Sequence, residues 1–164
     1  MSLAKNATQK QAVQLDAADK KILRVLQKEG RLSNTELAEK VGMSTSPCWR
    51  RVRRLEQEGV ISDYSARLDR RTLGFGVLVI VTIQIDAHNV EQAVEFEEAV
   101  LKLEQVIACY SVGGGVDFVL QVVCEDLDAY AEFSMNTLRR LPGIKAMESN
   151  FVLKELKPLT GWPI

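Results

Sequence analysis

Ser44-Thr45-Ser46-Pro47-Cys48-Trp49-Arg50-Arg51-Val52-Arg53-Arg54-Leu55-Glu56 reads as a helix with two unlike faces. Ser44 is a good N-cap, because its hydroxyl can accept from an orphan backbone N–H. Pro47 falls in the first turn, where a missing N–H costs little. At helical spacing Cys48, Val52 and Leu55 share one face. The opposite face carries Ser46, Arg50, Arg53 and Arg54, with Trp49 on its flank. One side is built to pack, and the other presents guanidiniums that can grip phosphates or pair bidentately with guanine. Taken alone, such a face is equally the solvated side of an ordinary helix. What precedes it decides between the two.

Ser33-Asn34-Thr35-Glu36 is a capping box: Ser33 caps and Glu36 reaches back. The helix it starts runs to about Val41 and buries Leu37, Ala38 and Val41. Gly42-Met43 then turns the chain into Ser44. A short helix, a glycine turn and a basic helix, in that order, make a helix-turn-helix with the basic helix second. Upstream, Asp16 to Glu29 predicts another helix, with Asp16 and Asp19 where the helix dipole favours negative charge. Ile22, Val25 and Leu26 repeat at i, i+3, i+4, and Gly30 is its expected C-terminal glycine. Downstream, Gly59 stops the basic helix. Val60 to Leu68 is expected to be extended, either as a small wing or as a linking strand.

Composition agrees once it is divided. The 164 residues are 46% hydrophobic, enough for one domain or two small ones, and carry a formal net charge of only −1. The total hides a segregation. Leu15 to Leu68 holds 11 Lys/Arg against 8 Asp/Glu, net +3, whereas Asp69 onward holds 8 against 14, net −6. A basic first third joined to an acidic remainder implies two domains with different partners. Cys48, Cys109 and Cys124 are scattered, with no Cys-x-x-Cys pair and a single histidine, His88. That pattern excludes a structural zinc site and a disulfide framework and suits a reducing cytoplasm. The polar N-terminal stretch has no apolar segment of signal-peptide type, and the apolar run around Gly76 to Ile85 is too short to span a bilayer as a helix. No membrane partner is expected.

The second half alternates element types. Val77 to Asp86 is a β-branched run and predicts a strand. Val90 to Leu103 predicts a helix, with Val94, Val100 and Leu101 apolar and Glu91, Glu95 and Glu98 polar. Val106 to Val112 and Phe118 to Cys124 predict strands joined by the turn Gly113 to Asp117. Leu127 to Leu141 predicts a helix stopped by Pro142-Gly143, and Ile144 to Leu156 is extended. The order β-α-β-β-α-β defines an α+β, ferredoxin-like split βαβ unit. Its antiparallel sheet would carry helices on one face and leave the other needing a partner, which a sheet-to-sheet dimer supplies. The expected organisation is a flexible arm at 1–14, the helix-turn-helix domain at 15–68, a linker at 69–76, the ferredoxin-like domain at 77–157 and a tail at 158–164.

These features resemble the Lrp/AsnC family of bacterial and archaeal transcription regulators. The resemblance rests on Leu15-Asp16…Asp19-Lys20…Ile22-Leu23, on Gly30-Arg31-Leu32-Ser33-Asn34-Thr35-Glu36-Leu37-Ala38 and on Val41-Gly42-Met43-Ser44-Thr45-Ser46-Pro47-Cys48. It continues through Arg51 to Glu56, Gly59-Val60-Ile61, Tyr64 and Leu141-Pro142-Gly143-Ile144. It implies a winged helix-turn-helix followed by a RAM-type effector-binding and oligomerisation domain. It also implies homodimers that often assemble as octamers, nucleoid-associated DNA as partner, an amino acid as effector, and no cofactor. One stretch departs from the pattern. Where the family usually reads Gly-Asp-aromatic-Asp, this chain has Gly114-Gly115-Val116-Asp117.

The expected DNA-contacting set is Ser46, Arg50, Arg53 and Arg54, with Thr45 and Trp49 secondary. Trp49 could instead pack under the helix, and Arg51, nearer the packed face, could serve the fold. Lys20, Lys21, Arg31 and Arg67 are candidate phosphate contacts, although a solvated charge is the simpler account of each alone. The expected effector set is Gly113, Gly114, Gly115, Val116, Asp117 and Leu127, with Phe151 as further apolar lining. A glycine turn can present backbone N–H groups to a carboxylate, and Asp117 can pair with an ammonium. The simpler account is a plain hairpin turn. No nucleophile–base motif or metal cluster points to an enzyme. Two alternatives are a tetrapyrrole-pathway decarboxylase of the same architecture, which would need a basic, histidine-lined cleft, and a DNA-architectural protein without sequence preference.

Overall fold

The computed structural model describes residues 12–86, 90–158 and 161–164. His88 and most of the expected arm lie outside them. The chain divides into two compact units, one running to Arg67 and rejoined by the segment from Lys157, the other Leu68–Leu156.

The first unit packs three helices, α1 (Ala17–Leu26), α2 (Asn34–Val41) and α3 (Thr45–Gln57). The expected capping box at α2 forms, and the two acids expected only as dipole partners at α1 make a second reciprocal box. Asp16 pairs with Asp19 at the start of α1, and Ser33 pairs with Glu36 at the start of α2. The Ser33 bonds hold the Glu36 carboxyl below its ordinary range. Ile22, Leu23, Leu37, Ala38, Val41, Cys48, Val52 and Leu55 form one buried cluster, so all three helices turn their periodic apolar faces inward. Gly42 takes φ +67 between α2 and α3, a left-handed conformation that L side chains resist. Gly59 takes φ +69 after α3. Its N–H donates to Glu56 O at 3.0 Å and the Val60 N–H to Leu55 O at 2.9 Å, which closes the helix as a Schellman motif.

Three local expectations need correction. First, α1 stops at Leu26, not Glu29, and Gly30 has no positive φ. The helix ends instead through a tighter turn, in which the Lys28 N–H reaches Val25 O at 3.0 Å. The side chain of Gln27, the C-cap, meets both backbone groups of Trp162 in the C-terminal segment. Second, Ser44 stands at the N-cap of α3 but makes no capping bond. An N-cap hydroxyl needs an N–H at the second or third helical position, and the third is Pro47. Third, Val60 to Leu68 joins no ladder, so no wing strand forms among the described residues. The segment is held by single contacts. Tyr64 Oη donates to Glu56 Oε1 at 2.9 Å, and burial together with that carboxylate pushes the phenol up to about 12.

The second unit is a four-stranded sheet in the order β2-β3-β1-β4, with β1 Val77–Ile85, β2 Val106–Ser111, β3 Phe118–Cys124 and β4 Ile144–Phe151. Every described pairing is antiparallel. Helices α4 (Val90–Val100) and α5 (Leu127–Asn136) pack their apolar faces onto one side, forming the βαββαβ arrangement. Val79, Val81, Ile83 and Ile85 alternate into that core, where Phe96, Val100, Tyr130, Phe133 and Leu138 meet them. The strand-edge expectations hold to within a residue for the first three strands. β4 ends five residues short of Leu156.

The expected apolar face of α4 holds at Val100 and is rotated elsewhere. Val94 is 47% and Leu101 65% exposed, whereas Phe96, which that reading left out, is fully buried. Its ring lies 4.7 Å from that of Phe118 across the helix–sheet boundary. The helix also ends at Val100, so Leu101 falls in a turn and need not follow the helical period. Likewise α5 ends at Asn136 and gives way to a 3-10 turn at Leu138–Arg140, which aims Leu138 into the core. Among the described residues of this unit, no helix covers the sheet's other face. Leu78, Ile80 and Thr82 of β1 point there, beside Val119, Gln121 and Val123 of β3 and Tyr110 of β2. Gly76, just before β1, admits no Cβ, which would stand 2.6 Å from Glu125 O.

Candidate DNA interface and effector site

Helix α3 fixes the first site. Cys48 and Leu55 are fully buried and Val52 nearly so, which locks the helix's rotation about its own axis. Thr45, Ser46, Trp49, Arg50 and Arg53 are therefore left exposed on the outer side. Trp49 is not packed beneath the helix. It is 43% exposed and carries the Arg53 guanidinium 5.3 Å from its ring centroid. That cation–π contact favours an Arg53 guanidinium seated on the indole over one free in water.

The four arginines of α3 split into two pairs. Arg50 and Arg53 make no ion pair among the described residues, whereas Arg51 and Arg54 turn back toward α1. Arg51 Nη1 lies 2.7 Å from Asp16 Oδ2 and 2.8 Å from Asp19 Oδ1. Arg54 Nη2 lies 2.5 Å from Asp19 Oδ2, and its Nε lies 3.8 Å from Glu58 Oε2. Arg54, expected among the DNA contacts, is thus held by a buried carboxylate. Sequence reasoning missed Asp19 in this role. It read Asp16 and Asp19 as dipole partners, and nothing in the local pattern announces a partner 35 residues on.

These contacts should leave a signature in acid. The Asp19 N–H, then the Arg51 guanidinium, hold the Asp16 carboxyl at about 2 against an ordinary 3.8. A carboxyl depressed by folding stabilises the native state above its unfolded value and loses that contribution as pH falls through the folded one. Asp16→Asn should therefore melt below the wild type at pH 5, and the gap should close as pH falls from about 4 to about 2. A gap that stays constant over that range, followed by circular dichroism, would contradict the assignment.

The second site is the β2–β3 hairpin. Gly113, Gly114, Gly115 and Asp117 are exposed, and Val116 is half-buried. Gly114 takes φ +145, which favours glycine, and added Cβ atoms at Gly113 and Gly115 would meet open space. Asp117 is more than a free charge. Its Oδ2 accepts the Ile85 N–H at 2.8 Å, and its own N–H donates to Ile83 O at 2.9 Å. Gln84 Nε2 donates to Gly115 O at 2.6 Å. The loop is therefore bonded to the end of β1 through Asp117 Oδ2, the Asp117 N–H and Gly115 O. Leu127 does not join it. The loop precedes β3 and Leu127 follows it, so roughly 20 Å of strand separates them. Leu127 and Phe151 instead line a separate apolar groove of 690 Å³ with Tyr130, Ala131, Ser134, Met135, Ser149 and Leu153. Tyr130 Oη and Ser149 Oγ bond at 2.5 Å at its floor.

A helix-turn-helix unit joined to a ligand-binding α+β unit is the layout of a transcription regulator that senses its own signal. Comparison with known proteins agrees in both halves. Residues 15–62 match the winged helix-turn-helix DNA-binding family, and residues 78–162 match the Lrp/AsnC ligand binding domain. The chain belongs to the Lrp/AsnC family of transcriptional regulators. It is 43% identical to the Bkd operon transcriptional regulator of Pseudomonas aeruginosa over 92% of this chain and 99% of that one. It is 41% identical to the leucine-responsive regulatory protein of Escherichia coli, over 87% of each chain. A transcriptional regulator of Neisseria meningitidis, solved as an L-Met complex, superposes with a TM-score of 0.88 at 37% identity, covering 92% of this chain and 97% of that one. An AsnC family regulator from Agrobacterium tumefaciens gives 0.85 at 37% identity, covering 91% and 97%. The decarboxylase alternative therefore falls away. This protein is a DNA-binding transcriptional regulator with a ligand-binding domain, not an enzyme.

Proposed function

We propose that α3 lies in the major groove with Arg50 and Arg53 reading base edges, Thr45 and Ser46 contacting the backbone near the helix start, and Trp49 bracing Arg53. One observation carries this reading. Among the described residues, the α3 arginines without a carboxylate partner, Arg50 and Arg53, stand on the face opposite a buried packing stripe. Two such helices in a homodimer would bind half-sites in phase on the duplex, within the bacterial nucleoid in the cytoplasm. Arg54 reaches DNA in this arrangement only by leaving Asp19.

The dimer is assigned to the open face of the second unit's sheet, and higher assembly, to octamers, to contacts between dimers. Ile80 sits mid-strand on that face beside Gln121. Ile80→Glu is expected to convert a dimer to a monomer in light scattering, since like charges would be buried at a self-complementary interface. A variant that stays dimeric would move the interface elsewhere.

The effector assigned to Gly113–Asp117 is a free α-amino acid. Its carboxylate would rest on the exposed amides of the glycine turn and its ammonium on Asp117 Oδ1. The L-Met complex of the Neisseria regulator supports the ligand class. Asp117→Ala is a poor test, because it strands the Ile85 N–H, at a cost of about 1–3 kcal/mol. Asp117→Asn keeps that acceptor and removes the charge. It should weaken amino-acid binding at least tenfold by calorimetry while the effector-free protein binds DNA as before. Unaltered binding of the amino acid would exclude the site.

A further inference from the structure

Asp19 is the one charged side chain among the described residues that is completely buried. It stands at the third position of α1, so the capping box fixes its backbone. Both of its oxygens face α3. Oδ1 takes Arg51 Nη1 at 2.8 Å, and Oδ2 takes Arg54 Nη2 at 2.5 Å together with the Asp16 N–H at 3.1 Å. Arg51 and Arg54 are one helical step apart, as are Arg50 and Arg53. Asp19 thus gathers one of the two arginine pairs and leaves the other in solvent.

That division matters for what α3 can discriminate. Guanidiniums that grip phosphate raise affinity for every duplex alike, whereas guanidiniums on base edges raise it for one sequence. Four free arginines on one short helix would favour indiscriminate binding. Two free arginines, oriented by the packed stripe and by Trp49, favour readout.

Building on the reading of α3 as the recognition helix, we propose that Asp19 is a specificity-determining positioning residue. It withholds Arg51 and Arg54 from the DNA backbone and orients α3 through them. It touches no DNA itself.

The test uses the full chain on an operator duplex and on a scrambled one, with affinity measured against salt. Asp19→Asn keeps the side chain's shape, releases Arg54 from its buried partner and leaves Arg51 only the exposed Asp16 carboxylate, a surface pair too weak to withhold it from phosphate. Its binding to scrambled DNA should tighten. The slope of log K against log[salt] should steepen by up to about 1.8 per bound chain, at about 0.9 for each phosphate contacted. The ratio of operator to scrambled affinity should fall about tenfold or more. A purely structural role would instead weaken both duplexes with a flat or unchanged slope and would overturn the proposal.

The triple variant Asp19→Asn/Arg51→Gln/Arg54→Gln neutralises the buried carboxylate and the two guanidiniums it holds, so no buried charge is stranded. It is expected to keep the wild-type salt slope. A triple variant flatter than the wild type by about 1.8 would mean that Arg51 and Arg54 already contact phosphate, and that too would overturn the assignment. Loss of operator binding in Arg50→Ala/Arg53→Ala tests the α3 reading separately. The two can therefore fail independently.

Discussion

Replacing Arg50 and Arg53 together by alanine is expected to abolish recognition of the operator while leaving the fold intact. A well-placed bidentate contact to a base is worth about 1–3 kcal/mol, and two in one half-site approach additivity only if they read different base pairs. The loss per half-site is then about 2–6 kcal/mol, doubled formally in a dimer that binds two half-sites. Both side chains are exposed and neither is ion-paired among the described residues, so thermal stability should change by less than about 0.5 kcal/mol. Fluorescence anisotropy with a labelled operator separates the effects. Affinity should fall to the level seen on scrambled DNA, and the far-UV spectrum should not move. Wild-type affinity with an intact fold would mean that α3 is not the reading helix.

The other large effect is predicted in the second unit. Phe96→Ala removes a ring that is fully buried between α4 and the sheet and packed at a tilt against Phe118. Large-to-small changes of this kind cost about 3–5 kcal/mol, through lost burial and the cavity left behind. Marginal domains have about 5–15 kcal/mol in total, so the unit should be largely unfolded at 37 °C or melt far below the wild type. Val94→Ala and Leu101→Ala, on residues that the helical period would have placed in the core, should each cost under about 1 kcal/mol. Urea unfolding of the three variants compares the rotated face with the periodic one. If Leu101→Ala proved as damaging as Phe96→Ala, the orientation of α4 would be wrong.

The contrast between these two sites shows what the amino-acid pattern reveals. The helix-turn-helix is legible because its signals are local. Ser33 and Glu36 cap within four residues, Gly42 and Gly59 occupy positions that need positive φ, and Cys48, Val52 and Leu55 repeat within one helix. The β-α-β-β-α-β order is legible because β-branched runs alternate with helical ones. Four features were not legible, each because it depends on a partner distant in the chain or on a competing local rule. The rotation of α4 follows from where Phe118 lies in the sheet. The missing Ser44 cap follows from Pro47 three residues on. Asp117 reads as a free acid until β1 is placed beside it and the Ile85 N–H claims one oxygen. The partition of the α3 arginines depends on Asp19, which comes from another helix and shows in no spacing.

The effector set divided for a similar reason. The glycine hairpin and Leu127 belong to opposite ends of β3, so a single chain offers a polar turn and a separate apolar groove instead of one pocket. A ligand at the turn that shifts DNA binding must have different affinities for two states of the assembly, since contact alone shifts nothing.

The most direct test of the central claim, that the Arg50–Arg53 face of α3 reads the sequence, is selection of binding sites from a random duplex pool. It would be run with the wild type and with Arg50→Gln and Arg53→Gln in parallel. Glutamine exchanges a guanine-reading fork for one that suits adenine, so each variant should enrich a motif changed at one position per half-site and otherwise the same. Identical motifs from all three proteins would contradict the account.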